Sequence, residues 1–251
     1  MTDLIDTVWS LPRNMRAVTE SEFYLSSSSI EDASPWTGER GVYGPYVQYW
    51  IANITPPSAR SVKKANEGEV TWRDWQGFVT RLRGTVGRVR MVDYYRMRPR
   101  FDAGNVSDSV WAGGAMWSDG QPWKIGGLPP YVTFADPVRE GDDTAVLKGL
   151  PPSTEMVLSI NDLCEARPNG IPTPYGNLYE LVTTVRSNSS GQARIYVQPG
   201  FRQRFAAGDM MVLREPTCVF RLADKDQGIV RRSMGSIGSL TLKLVEHIRN
   251  V

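Results

Sequence analysis

The chain has 251 residues, of which 41% are hydrophobic and 10% aromatic, so it holds enough apolar material for a packed core. This length allows one large β domain or two smaller ones. Lysine and arginine total 29 and aspartate and glutamate total 27, which gives a formal net charge of only +2. A nucleic-acid-binding protein needs a basic face that displaces counterions from phosphates. The near balance of charge therefore argues against nucleic acid as a partner.

The two cysteines and the single histidine limit the site chemistry. A structural zinc takes about four cysteine or histidine ligands, which Cys164, Cys218 and His247 cannot supply. A disulfide between the cysteines stays open, but two buried free thiols are the expectation. We therefore expect no metal and no cofactor.

The beginning of the chain carries no targeting signal. It has neither the basic start nor the apolar run of a signal peptide. No apolar stretch approaches the ~20 residues that a membrane span needs. We expect a protein that is made in the cytoplasm and does not insert into a membrane.

The first clear strand is predicted at Val47–Ile54, where polar and apolar residues alternate. Similar short runs recur to the end of the chain, and its 23 glycines and 17 prolines are spread between them. Many short strands separated by Gly, Pro, Asn and Ser turns are typical of sandwiches and barrels. The composition of these runs predicts a mainly β fold.

One helix is predicted at about 71–83. Thr71 followed three residues later by Asp74 resembles a capping box, and Gly84 tolerates the left-handed conformation that ends many helices. Between them, apolar residues recur at helical spacing: Trp72, Trp75, Phe78, Val79 and Leu82. We expect this helix to pack on a sheet as a lid, with a ligand-binding role for Trp72 or Trp75 as the alternative.

A strand at Arg88–Arg96 is followed by the most unusual segment of the chain, which is rich in aromatic residues and glycine. Its glycines favour a loop or hairpin that carries Trp111, Trp117, Trp123 and Tyr131. These aromatics could pack in the core, anchor a subunit interface, where aromatic residues are enriched, or stack on sugar rings. They are the candidate interface residues.

Two polar, turn-forming segments, Arg139–Thr144 and Ala223–Gly228, suggest domain boundaries. The span 146–222 between them holds enough strand-like runs for a small barrel, at Tyr179–Val185, Gln192–Gln198 and Met210–Arg214. In Gln192–Gln198, Ile195 and Val197 are predicted on one face, with Arg194 and Tyr196 on the other.

The last strand is predicted within Ser239–Ile248, where Leu240, Leu242 and Leu244 alternate with polar residues. These leucines need a sheet to cover them, and we expect it to be the sheet of the first domain. The small barrel is then an insertion at 146–222, and the first domain comprises 1–145 together with 223–251. The predicted fold is mainly β: a split β-barrel or β-sandwich with one packed helix, plus the inserted small β-barrel.

Catalytic motifs are weak throughout. Nucleophilic catalysis of the Ser-His-Asp or Cys-His kind needs an imidazole beside the nucleophile, and His247 is predicted at the end of a strand. A glycosidase needs only two carboxylates, but the candidates crowd one turn-like segment: Asp136, Glu140, Asp142 and Asp143. No phosphate loop or dinucleotide fingerprint occurs. We expect a protein that is not an enzyme and has no catalytic residues.

The order of features resembles the N-terminal region of distal-tail or tail-hub (baseplate-hub) proteins of tailed bacteriophages of the siphophage type. Those features are Ser34-Pro35-Trp36-Thr37-Gly38, a strand containing Tyr49-Trp50, the Pro56-Pro57 step, the helix Trp72–Leu82, and Leu82-Arg83-Gly84-Thr85-Val86-Gly87-Arg88. In that family a split β-barrel with one helix packs into a ring.

A second group of motifs resembles the inserted β domain of phage tail proteins. It comprises Leu147–Pro151, Leu158–Leu163, Leu178–Leu181, Ser190–Ala193, Val197–Pro199, Ala207–Asp209 and Pro216–Leu222, and the final run Leu240–Glu246 is similar to the closing strand of those proteins. One departure is Asn161-Asp162, where many of those proteins have Gly-Asp. The resemblance covers most of the chain. It depends on the order of the motifs, each of which consists of turn residues and hydrophobic positions.

The resemblance implies a virion structural protein at the tail tip. It implies a homo-oligomeric ring, with six copies expected, that joins the tail tube protein to the tail hub, tip or baseplate. Ring closure would also pair sheet edges that a single copy leaves open. The alternative hypothesis is a carbohydrate-binding module that uses the loop tryptophans Trp111, Trp117 or Trp123. A two-carboxylate glycan hydrolase is the third.

Overall fold

The structure is a computed structural model that describes residues 8–11, 20–27, 30–33, 40–43, 48–55, 62–64, 67–70, 72–103, 128–169, 177–225, 232–233, 236–237 and 241–248. Within these residues the protein is mainly β, with one helix of three turns and one small closed barrel. The predicted fold class is therefore confirmed at this level.

The elements follow one another along the chain as β1 Val8–Ser10, β2 Glu20–Ser27, β3 Ile30–Ala33, β4 Arg40–Tyr43, β5 Gln48–Thr55, β6 Val62–Lys64, β7 Glu67–Val70, α1 Trp72–Leu82, β8 Arg88–Val92 and the short α2 Arg100–Ala103. They continue as β9 Tyr131–Phe134, β10 Thr144–Lys148, β11 Leu163–Arg167, β12 Asn177–Leu181, β13 Gln192–Gln198, β14 Met210–Val212, β15 Thr217–Leu222, β16 Arg232–Ser233, β17 Ser236–Ile237 and β18 Leu242–Glu246.

Contacts divide the chain into two compact units. The first, the sheet unit, comprises 1–94 and 219–251, and the second, the barrel unit, comprises 95–218. The barrel unit thus begins about fifty residues before the expected insertion at 146–222, because β9 and β10 are both barrel strands. The charged turn Arg139–Thr144 connects these two neighbouring strands. A polar turn marks the end of a strand equally well inside a domain and between domains.

The sheet unit contains an open six-stranded sheet in the order β1-β8-β15-β18-β5-β2. The last strand, β18, pairs with both β15 and β5, so Leu242 and Leu244 are buried in the sheet that the sequence favoured for them. On β5, Trp50, Ala52 and Ile54 are fully buried. Two-stranded sheets formed by β3–β4, β6–β7 and β16–β17 complete the described strands of this unit.

Helix α1 begins and ends close to the predicted bounds. Trp75, Phe78, Val79 and Leu82 are buried, as the periodicity predicted, while the expected cap Thr71 lies outside the described residues. The helix ends at Leu82, one residue before the predicted end at about residue 83. Arg83 already has a positive φ of 49°, followed by 68° at Gly84.

The barrel unit is a closed six-stranded barrel in the order β10-β13-β12-β11-β14-β9, and every pairing in it is antiparallel. Strand β13 alternates strictly, with Ala193, Ile195 and Val197 buried and its other residues exposed, as predicted. Aromatic rings fill part of the interior: Phe134 lies 5.7 Å from Phe201 and 5.3 Å from Phe205 between ring centroids. The barrel has its own core, whose buried residues run from Leu128 to Leu213.

Candidate functional site

One turn recurs three times in the barrel, at Arg139–Asp142, Ser159–Asp162 and Ala206–Asp209. The carbonyl of the first residue accepts the N–H of the aspartate at 3.3, 3.1 and 3.1 Å respectively, and the third residue has a positive φ (88° at Gly141, 71° at Asn161, 95° at Gly208). One carboxylate oxygen of the aspartate accepts the N–H of the first residue at 2.9, 2.7 and 2.7 Å. Each turn immediately precedes a barrel strand.

Each copy of the turn is docked on a neighbouring chain segment in the same way. The N–H of its third residue donates to a carbonyl of Phe201, Leu181 or Phe134, at 2.7, 2.8 and 2.9 Å. The N–H of that same partner donates to the carbonyl of the turn aspartate, at 2.7, 2.9 and 2.9 Å. Because the partners are buried, these bonds satisfy backbone groups that water cannot reach.

This repetition was not predicted, although the sequence carries a signal for it. Each copy is an apolar residue, two variable residues, Gly or Asn, and then Asp, starting at Val138, Leu158 and Phe205. Asn161 fits the pattern because asparagine tolerates the left-handed region better than other non-glycine residues. The departure noted at Asn161-Asp162 is therefore a conservative one in conformation.

The four carboxylates considered for a glycosidase have different surroundings in the structure. Asp142 Oδ2 accepts the Arg139 N–H, so this carboxylate holds the turn. Asp136, Glu140 and Asp143 lie on the exposed surface of the same connection. The turn thus accounts for Asp142 and not for the other three acids.

Asp162 is the most buried of the three turn aspartates. Its Oδ1 accepts the Arg100 N–H at 3.0 Å and its Oδ2 accepts the Ser159 N–H at 2.7 Å. Burial raises the pKa of Asp162 above its ordinary value and outweighs the lowering by these two N–H donors and the Arg100 charge. Next to it, Arg96 donates to Asn161 Oδ1 at 2.7 Å and lies 3.4 Å from Glu180 Oε2.

Glu165 on β11 is a fully buried carboxylate with several donors. Arg167 donates from Nε to Oε1 at 2.6 Å and from its second nitrogen to Oε2 at 2.7 Å. Thr217 donates to Oε2 from its N–H at 2.8 Å and from its hydroxyl at 2.9 Å. The carboxylate raises the pKa of the Arg167 guanidinium. A buried charge with this many donors is a structural anchor.

Both cysteines are free and buried, as expected. Burial raises the pKa of the Cys164 thiol far above its ordinary value, and the nearby Asp162 charge adds to the rise. The N–H of His247 donates to the Val219 carbonyl at 2.8 Å in the sheet unit. In the part of the chain that the structure describes, no three His, Cys, Asp or Glu side chains come together to hold a metal ion.

Of the four candidate interface aromatics, the structure describes only Tyr131. Trp111, Trp117 and Trp123 lie outside the described residues. Tyr131 begins β9 opposite Val212, and its side chain is 54% exposed, whereas Val132 and Phe134 point into the barrel. Tyr131 therefore is a surface aromatic and not part of the barrel core.

The six-stranded sheet presents two different edges, β1 and β2. Among the described strands, none pairs with the outer side of either. Strand β2 has eight residues, all matched to β5 on its inner side, and its Tyr24 is 42% exposed. An edge of this length offers backbone donors and acceptors to another strand.

No helix within the described ranges has the length and apolarity needed to cross a membrane. Comparison with known protein families and with curated proteins finds no match to this chain. The functional assignment therefore depends on the geometry above and on the order of the sequence motifs.

Proposed function

We propose that this chain is a structural component of a phage tail that forms a homo-oligomeric ring at the distal end of the tail. The ring, of six copies, connects the tail tube protein to the hub and tip proteins of the tail or baseplate. Its function consists of contacts between copies and with neighbouring proteins.

The order of motifs supports this proposal. A sheet segment containing Tyr49-Trp50, a single amphipathic helix and a β domain within one chain is the succession that resembles distal-tail proteins. The barrel unit 95–218 interrupts the sheet unit, which is the arrangement that the resemblance implies for the inserted domain.

The observation that carries the proposal is the pair of sheet edges that no described strand covers. The edges are different strands, β1 and β2, so a contact between β1 of one copy and β2 of the next is heterologous. Heterologous contacts generate a closed ring when the rotation between copies closes. Edge pairing also removes the aggregation hazard of two exposed strands.

The test is the assembly state of the purified chain. We expect sedimentation equilibrium to give a mass about six times the 28.1 kDa of one chain, and negative-stain images to show rings. Tyr24→Lys places a charge on the exposed face of edge strand β2 and is expected to shift the protein toward smaller species, because lysine on an edge opposes pairing.

Tyr196→Lys is the matched control. Tyr196 is 39% exposed, close to the 42% of Tyr24, but it lies on β13, which is paired on both sides inside the barrel. We expect this variant to assemble as the wild type does. A wild-type chain that stays monomeric at high concentration contradicts the ring, and equal losses in both variants contradict the assignment of β2 to the contact.

A further inference from the structure

A groove on the barrel unit carries two arginines whose placement the proposed ring does not explain. The groove has a volume of about 790 Å³ and is lined by, among others, Val138, Arg139, Pro168, Arg204, Phe205 and Asp209. This volume lies in the range of pockets that hold small organic ligands.

The two arginines follow and precede the two residues of an isolated antiparallel bridge. Val138 and Phe205 form the bridge, with N–H to carbonyl distances of 2.9 and 3.0 Å, and both side chains are buried. The next residues outward, Arg139 and Arg204, therefore lie opposite each other, and both are exposed. Like charges directly opposite on paired strands destabilise the pairing.

Within the described ranges neither guanidinium of this pair has an ion-pair partner. The acid among the lining residues, Asp209, accepts two backbone hydrogen bonds: its Oδ2 accepts the Ala206 N–H at 2.7 Å and its Oδ1 accepts the Asn169 N–H at 2.8 Å. Both arginines therefore line the groove without an ion-pair partner among the described residues, while Asp209 serves the turn.

We propose that this groove binds a phosphate group carried on a small organic frame. A phosphate monoester carries close to two negative charges near neutral pH, which matches the two guanidinium groups, and each guanidinium can donate two parallel hydrogen bonds to phosphate oxygens. Pro137 and Pro168, which also line the groove and are not buried, accept the uncharged part of the ligand. This inference concerns a single chain and is independent of the ring.

The experiment titrates glycerol 3-phosphate into the full-length protein at low salt by isothermal calorimetry. We expect saturable binding that weakens about tenfold or more in Arg139→Gln and in Arg204→Gln, because each change removes charge-assisted hydrogen bonds. A poly(glycerol phosphate) chain, tested in parallel, distinguishes a polymer source of the phosphate from a free monoester.

The double variant Arg186→Gln/Arg194→Gln is the control, since it removes two positive charges, one more than either test variant, from another groove of the same barrel, of about 430 Å³. We expect it to bind glycerol 3-phosphate within twofold of the wild type. Absence of saturable binding by the wild type, or equal loss in the control, overturns the proposal.

Thermal unfolding supplies a second readout that does not depend on calorimetric heat. Without phosphate, Arg204→Gln is expected to unfold at a higher temperature than the wild type, because the like-charge contact is relieved. Added glycerol 3-phosphate is expected to raise the Tm of the wild type more than that of the variant at the same ligand concentration. A Tm that rises equally in both contradicts the assignment.

Discussion

Gly87 lies where the chain turns back against the end of α1, and its N–H donates to the Leu82 carbonyl at 2.7 Å. A Cβ built on Gly87 would lie 2.3 Å from that carbonyl oxygen, although the φ of Gly87 is an ordinary −71°. The requirement for glycine is therefore one of space. Gly77, on the exposed side of the same helix, has no atom within 4 Å of a built Cβ.

We predict that Gly87→Ala lowers the free energy of unfolding by about 1–3 kcal/mol, the usual cost of forcing extra volume into a packed site. Gly77→Ala, the control, is expected to raise it by about 0.5–1 kcal/mol, because alanine restricts the unfolded chain and favours the helix. Urea denaturation of both variants checks the pair. Equal effects of the two substitutions contradict this account of Gly87.

The two cysteines, Cys164 and Cys218, are 1% and 0% exposed. The raised pKa of Cys164 keeps that thiol protonated, and the thiolate is the reactive form. We predict that a thiol reagent modifies neither cysteine of the native protein at pH 8, and modifies both after denaturation. Rapid stoichiometric labelling of the native chain contradicts this prediction.

The element that organises the barrel is the recurring turn at Arg139–Asp142, Ser159–Asp162 and Ala206–Asp209. It starts strands β10, β11 and β14, and it fixes each of them to a buried residue of another segment through a pair of backbone hydrogen bonds. Two copies have glycine at the left-handed position and one has Asn161. The third position of the turn therefore requires a residue that tolerates a positive φ, whereas the second position accepts different residues.

We predict that Asn161→Gly changes the free energy of unfolding by no more than about 0.5 kcal/mol, since the other two turns already use glycine and the lost bond to Arg96 is exposed. Asn161→Val is expected to lower it by about 1–2 kcal/mol, the cost of the left-handed conformation for a residue with a bulky Cβ. Guanidinium denaturation measures both. A valine variant as stable as the glycine variant contradicts the role of this position.

The chain consists of a sheet unit and a barrel unit, and the barrel unit interrupts the sheet unit in sequence. Each of the six barrel strands pairs with two others, and a cluster of buried hydrophobic side chains lies within this unit. Phe134, Tyr179, Phe201 and Phe205 give the core its aromatic volume. A closed barrel has no free edge that depends on the other unit.

We predict that residues 95–218, expressed alone, fold cooperatively. Dispersed amide signals in an NMR spectrum and a single thermal transition check this. Phe205→Ala in the same fragment is the control and is expected to lose about 3–5 kcal/mol, since it opens a cavity among the stacked rings. A fragment without dispersed signals contradicts an independent barrel.

The strand and helix faces that repeat with a regular period were predictable from the amino-acid sequence alone. The alternation in Gln192–Gln198 placed Ile195 and Val197 inside, and the helical spacing of Trp75, Phe78 and Leu82 defined α1, because a strand or helix repeats every two or 3.6 residues within one run. Burial of the two thiols was predictable as well, because free cysteine is among the most buried residue types.

Only the tertiary structure decided which strands share a sheet and which side chains meet. The inclusion of β9 and β10 in the barrel, the docking of each aspartate turn, and the bridge between Val138 and Phe205 all depend on contacts between distant parts of the chain. No local pattern specifies such contacts, since closing a loop costs entropy that only the completed packing of the barrel offsets.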